Sequence, residues 1–199
     1  MIDEQFYRAL TVVFFVTAMS ISIYFRSRAA RRNSNAFREG ASSPPMIAMR
    51  LTFVLGMLGF LIMYAVKPDW TLWASMDLTD VVRVSGGLLV LATIPCFIWL
   101  FHHLGKNVTP TANTRNEHSL VVSGPYRWVR HPMYTAGIAF WIGMSVFTAK
   151  WFLLVFVAAA FGFLALRTPR EEANLLERFG EVYLDYQSCT GRYFPKFWS

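Results

Sequence analysis

Residues 133–166 read MYTAGIAFWIGMSVFTAKWFLLVFVAAAFGFLAL and carry a single charge, Lys150. Crossing the hydrocarbon of a bilayer takes about 20 predominantly apolar residues. The run therefore predicts two helices, 133–149 and 151–166, each near the short limit for a full span and joined as a tight hairpin at Ala149-Lys150. A hairpin returns the chain to the side it left, so residues just before 133 and just after 166 become neighbours. Both flanks are polar: 124–134 read GPYRWVRHPMY and 166–172 read LRTPREE.

Further apolar stretches occur at 6–25, whose only charge is Arg8, at 46–66, and at 84–101. Pro95 in the last is tolerated, because a proline kink is common inside membrane helices. Hydrophobic residues make up 55% of the 199-residue chain and charged ones 16%, above and below globular usage respectively. The expectation is an all-α integral membrane protein of about five transmembrane helices. It forms one membrane domain, 1–199, with three spans in 1–101. The hairpin, a cytoplasmic cofactor pocket and an amphipathic C-terminal helix fall in 102–199. Stretch 6–25 reads as a span and not as a signal peptide, since Arg-rich sequence and no small-residue cleavage site follows it. The Ser-, Gly- and Pro-rich stretch RRNSNAFREGASSPP, 31–45, reads as a loop.

Five spans place 26–50, 102–132 and 167–199 on one side, and these hold 15 of the 19 Lys and Arg residues. The positive-inside rule then puts the N-terminus outside and the C-terminus in the cytoplasm, in the inner membrane if the cell is bacterial. Topology thus accounts for the net charge of +7 without a nucleic-acid partner. A basic cytoplasmic face also favours anionic membrane lipids. No metal is expected: His102-His103 are adjacent and do not share a helical face, and no Cys/His spacing fits zinc. Cys96 and Cys189 fall in a span and a tail, which predicts no disulfide between them.

Beyond the hairpin, Thr168 suits an N-cap, Pro169 a first helical position and Glu171 a capping-box carboxylate. A helix from there to about residue 187 would carry Leu175, Leu176, Phe179, Tyr183 and Tyr186 on one face. On one reading Glu171 only caps and Arg167 only snorkels to the interface. Similarly, in GPYRWVRHPMY, Arg127 and Arg130 could anchor a helix end, with Trp128 and Tyr134 in an aromatic belt and Pro132 starting the fourth span. That reading leaves His131 without a task. The other reading is a cavity, where irregular backbone is acceptable at membrane depth. It would offer helix-start N–H groups, an imidazole and aromatic faces to a ligand with a carboxylate, an amine and an aromatic ring.

Three stretches carry a resemblance: HLGKN at 103–107, HSLVVSGPYRWVRHPMY at 118–134, and RTPREEANLLERFGEVYLDYQSCTGRYFP at 167–195. Their order around a hairpin resembles the isoprenylcysteine carboxyl methyltransferase family, integral membrane enzymes related to phospholipid methyltransferases. The resemblance covers about residues 100–199. It implies S-adenosyl-L-methionine bound on the cytoplasmic side by His118, Ser119, Leu120, Val121, Tyr126, His131, Pro132, Met133 and Tyr134. Arg167 and Glu171 are implied as the catalytic and substrate-side pair. A forked guanidinium suits a carboxylate, and aromatic faces suit a sulfonium. The implied reaction is in-line methyl displacement onto a lipophilic or prenylated acceptor entering from the bilayer, dominated by alignment and exclusion of water. Where the family commonly carries Trp this chain has Val108, followed by the polar TPTANTRNE, 109–117. Phospholipid or other amine acceptors and thiol acceptors, an NADPH-dependent sterol-type reductase, and a non-enzymatic membrane protein are the competing readings.

Overall fold

The computed structural model describes residues 2–32, 44–105 and 120–196. Six α-helices follow one another: α1 (Glu4–Arg32), α2 (Pro44–Val66), α3 (Asp80–Leu104), α4 (Pro132–Thr148), α5 (Phe152–Phe179) and α6 (Glu181–Cys189). Short 3-10 turns occupy Pro68–Ala74 and Gly124–Arg127. Among the described residues β pairing is confined to isolated bridges, so the all-helical membrane architecture expected from the sequence holds. Stretches long and apolar enough to cross a bilayer lie in α1, α3 and α5, and a shorter apolar one is Val54–Val66 in α2. The loop read at 31–45 falls largely outside the described residues, as do His118 and Ser119.

The hairpin turns at Ala149–Trp151, between α4 and α5. Ala149 sits at φ 52°, in the left-handed region, which costs a residue bearing a Cβ on the order of 1 kcal/mol. Hydrogen bonds hold the turn in place. Lys150 N–H donates to Ser145 O at 3.0 Å, and Ser145 Oγ donates to Lys150 O at 2.8 Å. The Lys150 ammonium is buried and satisfied by Ser75 Oγ at 2.7 Å and Thr71 O at 3.2 Å.

The described chain divides into two compact units. One comprises Met1–Ser20, Ser42–Ile94 and Gly137–Phe161. Here the backbones of α3 and α4 approach closely, because glycine lines both. A Cβ on Gly86 would stand 2.7 Å from Phe147 N and 2.8 Å from Gly143 O, and one on Gly143 would stand 2.9 Å from Gly86 O. Small residues at such crossings are the usual basis of helix association in lipid. Gly86→Ala is therefore expected to cost about 2 kcal/mol, an overpacking penalty with backbone on both sides. A lower midpoint on titration with denaturing detergent checks it. Around this crossing, Phe147 takes the rings of Tyr7 at 5.1 Å and Phe14 at 5.3 Å. Glu4 accepts from Arg83 and Tyr64, so the polar atoms at that end are paired.

The other unit comprises Ile21–Ala41, Pro95–Ala136 and Gly162–Ser199. Its apolar floor joins Ala29 and Phe101, with Phe25 stacked on Phe101 at 5.3 Å. Beside it lies a cluster of Leu100, Tyr126 and Ala136, against which Val121 and Met133 pack. One expectation fails in this unit. Thr168 and Pro169 do not start a helix; both lie inside α5, which runs unbroken from Phe152 to Phe179. The Thr168 hydroxyl donates backward to Leu164 O at 2.7 Å instead of capping forward. Pro169 removes an N–H that the ladder would have used, a loss membrane helices tolerate. Glu171 accordingly makes no capping box. The break falls at Gly180, whose φ of 55° suits glycine, and α6 starts immediately after it.

Candidate functional site

The stretch 123–131 is irregular, and its peptide groups are satisfied in two ways. Locally, Tyr126 N–H donates to Ser123 O and Trp128 N–H to Pro125 O, both at 3.3 Å. Glycine is required at 124: its φ is 60°, and a Cβ there would meet the His103 ring at 2.4 Å. Distantly, a tail segment supplies the partners. Arg130 N–H donates to Gly191 O at 2.8 Å, His131 N–H to Arg192 O at 3.0 Å, and Gly191 N–H to Trp128 O at 3.1 Å. Thr135 Oγ1 adds a bond to Tyr193 O at 2.7 Å. A buried backbone needs such partners, so residues 190–193 complete the stretch the hairpin begins.

Side chains reinforce that docking. Arg130 Nε donates to Glu172 Oε1 at 2.9 Å, while its Nη1 donates to Gln187 O at 3.1 Å and to Thr190 O. Arg130 thus holds the C-terminal carbonyls of α6, which have no helical partner of their own. Arg192 Nη2 lies 2.5 Å from Glu172 Oε2. The Glu172 carboxylate is therefore clamped from both sides while its side chain is only 6% exposed. It belongs to the charged part of α5, which begins at Arg167, past the apolar stretch. Burial alone would raise its pKa. The contact with His131 and the hydrogen bonds from Arg192 and Arg130 reverse that and hold it down to about 2.

The adjacent carboxylate, Glu171, has different partners. Tyr134 donates its hydroxyl to Glu171 Oε2 at 2.7 Å. Arg167 Nε stands 2.7 Å from Glu171 Oε1 as an ion pair one helical turn away. That contact is not aligned as a hydrogen bond, so the buried Nε lacks a hydrogen-bond partner among the described residues. His131 bridges the two carboxylates, with Nδ1 3.9 Å from Glu171 and Nε2 3.5 Å from Glu172. Nε2 also lacks an aligned partner. One face of the imidazole stacks on Tyr134 at 5.3 Å and 10°, and Tyr193 lies 6.0 Å away. Buried polar atoms without an aligned partner are rare in native proteins.

The hairpin thus brings together the flanks as expected: His131 and Tyr134 meet Arg167 and Glu171. Val121, Tyr126 and Met133 share the neighbouring apolar cluster, and the Tyr126 carbonyl is held by the Tyr186 hydroxyl at 2.6 Å. Leu120 is half-buried without joining either group. The helix-start amides prove scarcer than expected. Pro132 has none, and those of Tyr134 and Thr135 go to His131 O at 3.1 and 3.5 Å. Only the Met133 N–H remains for an anion in that first turn, among the described residues.

Arg130, Glu172, Arg192, Tyr183 and Tyr193 are absent from the set read off the sequence. Opposite charges on the two hairpin flanks were the one available signal for Arg130 and Glu172.

A family model described as "Phospholipid methyltransferase" matches residues 81–182, just over half of the chain. The chain belongs to that family. Within it, the "Protein-S-isoprenylcysteine O-methyltransferase A" of Arabidopsis thaliana is 30% identical over 158 residues, covering 74% of this chain and 76% of that one. The Xenopus laevis "Protein-S-isoprenylcysteine O-methyltransferase" is 35% identical over 88 residues, 44% of this chain. The match there spans only 29% of the relative's length, and 25% for the mouse relative of the same name. Among solved structures, the eukaryotic intramembrane Ras methyltransferase ICMT superposes with a TM-score of 0.54 at 21% identity, covering 78% of this chain and 54% of that one. The family's helical membrane fold is thereby shared. Arg192, Tyr193 and Tyr183 lie beyond the residues that the family model matches.

Proposed function

We propose that the chain is a membrane methyltransferase using S-adenosyl-L-methionine, with a lipophilic acceptor of which an isoprenylcysteine-like carboxylate is the foremost case. The observation that carries this is Arg167. It is a largely buried guanidinium just past the apolar stretch of α5, paired through Nε with Glu171. Such a group suits an anionic head on an apolar body. Family membership and the relatives' names support the same chemistry.

The residues fit the cofactor. His118, Ser119, Leu120, Val121, Tyr126, His131, Pro132, Met133 and Tyr134 would hold it. His131 contributes a buried ring nitrogen without an aligned partner, and the stacked His131 and Tyr134 rings contribute aromatic surface. When bound, the cofactor supplies an electrophilic methyl on a sulfonium. The protein's part is alignment. Arg167 and Glu171 fix the acceptor carboxylate, and the surrounding rings exclude water. A carboxylate nucleophile is already ionised and needs no general base. Residues 102–199 form the catalytic half in this reading. The N-terminus lies outside, and the site faces the cytoplasm and its soluble cofactor.

An amine acceptor is the second reading, favoured by the family model's description as phospholipid methyltransferase. Beside Glu171 and Glu172 stand Arg130, Arg167 and Arg192, an excess of positive charge that repels a product gaining charge on nitrogen. Titration calorimetry of the detergent-purified protein with S-adenosylhomocysteine tests the proposal. Micromolar binding, lost in Tyr126→Ala and in His131→Ala, is expected. Binding of NADPH in its place would replace methyl transfer by reduction, and binding of neither would leave a non-enzymatic protein.

A further inference from the structure

Tyr183 is 1% exposed, and its hydroxyl has no hydrogen-bond partner among the described residues. Neither the apolar floor nor the tail docking uses it. Its place on α6 is nevertheless fixed. Residues 183 and 187 share a helical face, and Gln187 O accepts from Arg130 on that face. Tyr186, its ring 6.0 Å from that of Tyr183, holds the Tyr126 carbonyl. The orphan therefore lies on the helix whose end Arg130 holds, beside the charged cluster.

That cluster is unbalanced. Three guanidiniums, of Arg130, Arg167 and Arg192, stand against two carboxylates, of Glu171 and Glu172. Two of its own nitrogens, Arg167 Nε and His131 Nε2, face Glu171 and Glu172 without an aligned hydrogen bond. One added carboxylate would neutralise the set and accept from such donors. A head group that is an ammonium alone would add to the excess charge.

We propose that Tyr183 is a carboxylate-binding residue of this site, its hydroxyl donating to the single carboxylate that the charge set lacks. The inference rests on the methyltransferase reading and extends it to a residue of α6. Two ligands bring a carboxylate: the methyl acceptor, as its only charge, and the amino-acid end of the nucleotide, beside an ammonium.

Tyr183→Phe removes the hydroxyl and keeps the ring. Its effect is read with four probes on the full chain in detergent: S-adenosylhomocysteine, 5′-methylthioadenosine, N-acetyl-S-farnesylcysteine and the carboxamide of the last. A roughly tenfold loss of affinity is expected for the carboxylate-bearing member of one pair, with its partner unaffected. Loss confined to S-adenosylhomocysteine assigns the carboxylate to the nucleotide; loss confined to the farnesylcysteine acid assigns it to the acceptor. The ligand-free variant should melt no earlier than the wild type, because an unpaired buried hydroxyl contributes no stability. Unchanged affinity for all four probes, equal loss of all four, or earlier melting without ligand overturns the inference, since the hydroxyl would then be structural or idle. A wild type that binds none of the four overturns the methyltransferase reading itself.

Discussion

Arg130→Met is expected to destabilise the fold by about 3–5 kcal/mol, the largest stability effect of any single substitution in the site. The change leaves Glu172 buried with half its clamp and frees the carbonyls of Gln187 and Thr190. Lysine should recover little, because one ammonium cannot reach a carboxylate and two carbonyls in the planar fork that Arg130 uses. Adding Glu172→Gln to Arg130→Met should cost less than the sum of the two changes, since it removes the stranded charge. Denaturing-detergent titrations followed by tryptophan fluorescence measure all three; a loss below about 1 kcal/mol for Arg130→Met would remove the clamp from the account. The same pair sets an acid limit. The Glu172 carboxyl titrates near 4.5 when unfolded and is held down to about 2 when folded. Its contribution is therefore complete above about pH 4.5 and disappears as pH falls toward 2.

Arg167→Ala is expected to lower kcat/KM for a prenylated cysteine acid by roughly 10²–10³-fold, while S-adenosylhomocysteine binds as in the wild type. Losing one member of a buried, charge-assisted contact has a cost of that order. Glu171→Gln should act through Arg167 and Tyr134, the two groups it holds. Its acceptor KM should rise more than its kcat falls. An Arg167→Ala enzyme that methylates the acid as fast as before, or that loses S-adenosylhomocysteine equally, would move Arg167 out of the acceptor site.

The hairpin was legible because it rests on composition alone. One charge in 133–166, placed in the middle, allows two short helices and forces their polar ends together. Arg167, Glu171, His131 and Tyr134 followed from that geometry and from the resemblance. The start assigned at Thr168-Pro169 failed because a helix-start signal is local, whereas the Thr168 hydroxyl is decided by Leu164 behind it and by Tyr193, which donates to it at 2.7 Å from 25 residues away. The roles of Arg130 and Glu172 were harder to read for a related reason: they exist only once residues 187–193 dock, and no periodicity encodes that docking.

The pairing of 128–131 with 190–192 also orders events in time. The partners of the Arg130 side chain on α6 lie 57 to 60 residues further along the chain. At about 5–20 residues per second that interval is on the order of 3–12 s of synthesis. Until it passes, the hairpin can enter the bilayer but the peptide groups of Arg130 and His131 wait without partners. Assembly of the site thus waits on translation of residues 190–192, and a ribosome stalled before Gly191 would hold an inserted but incompetent chain.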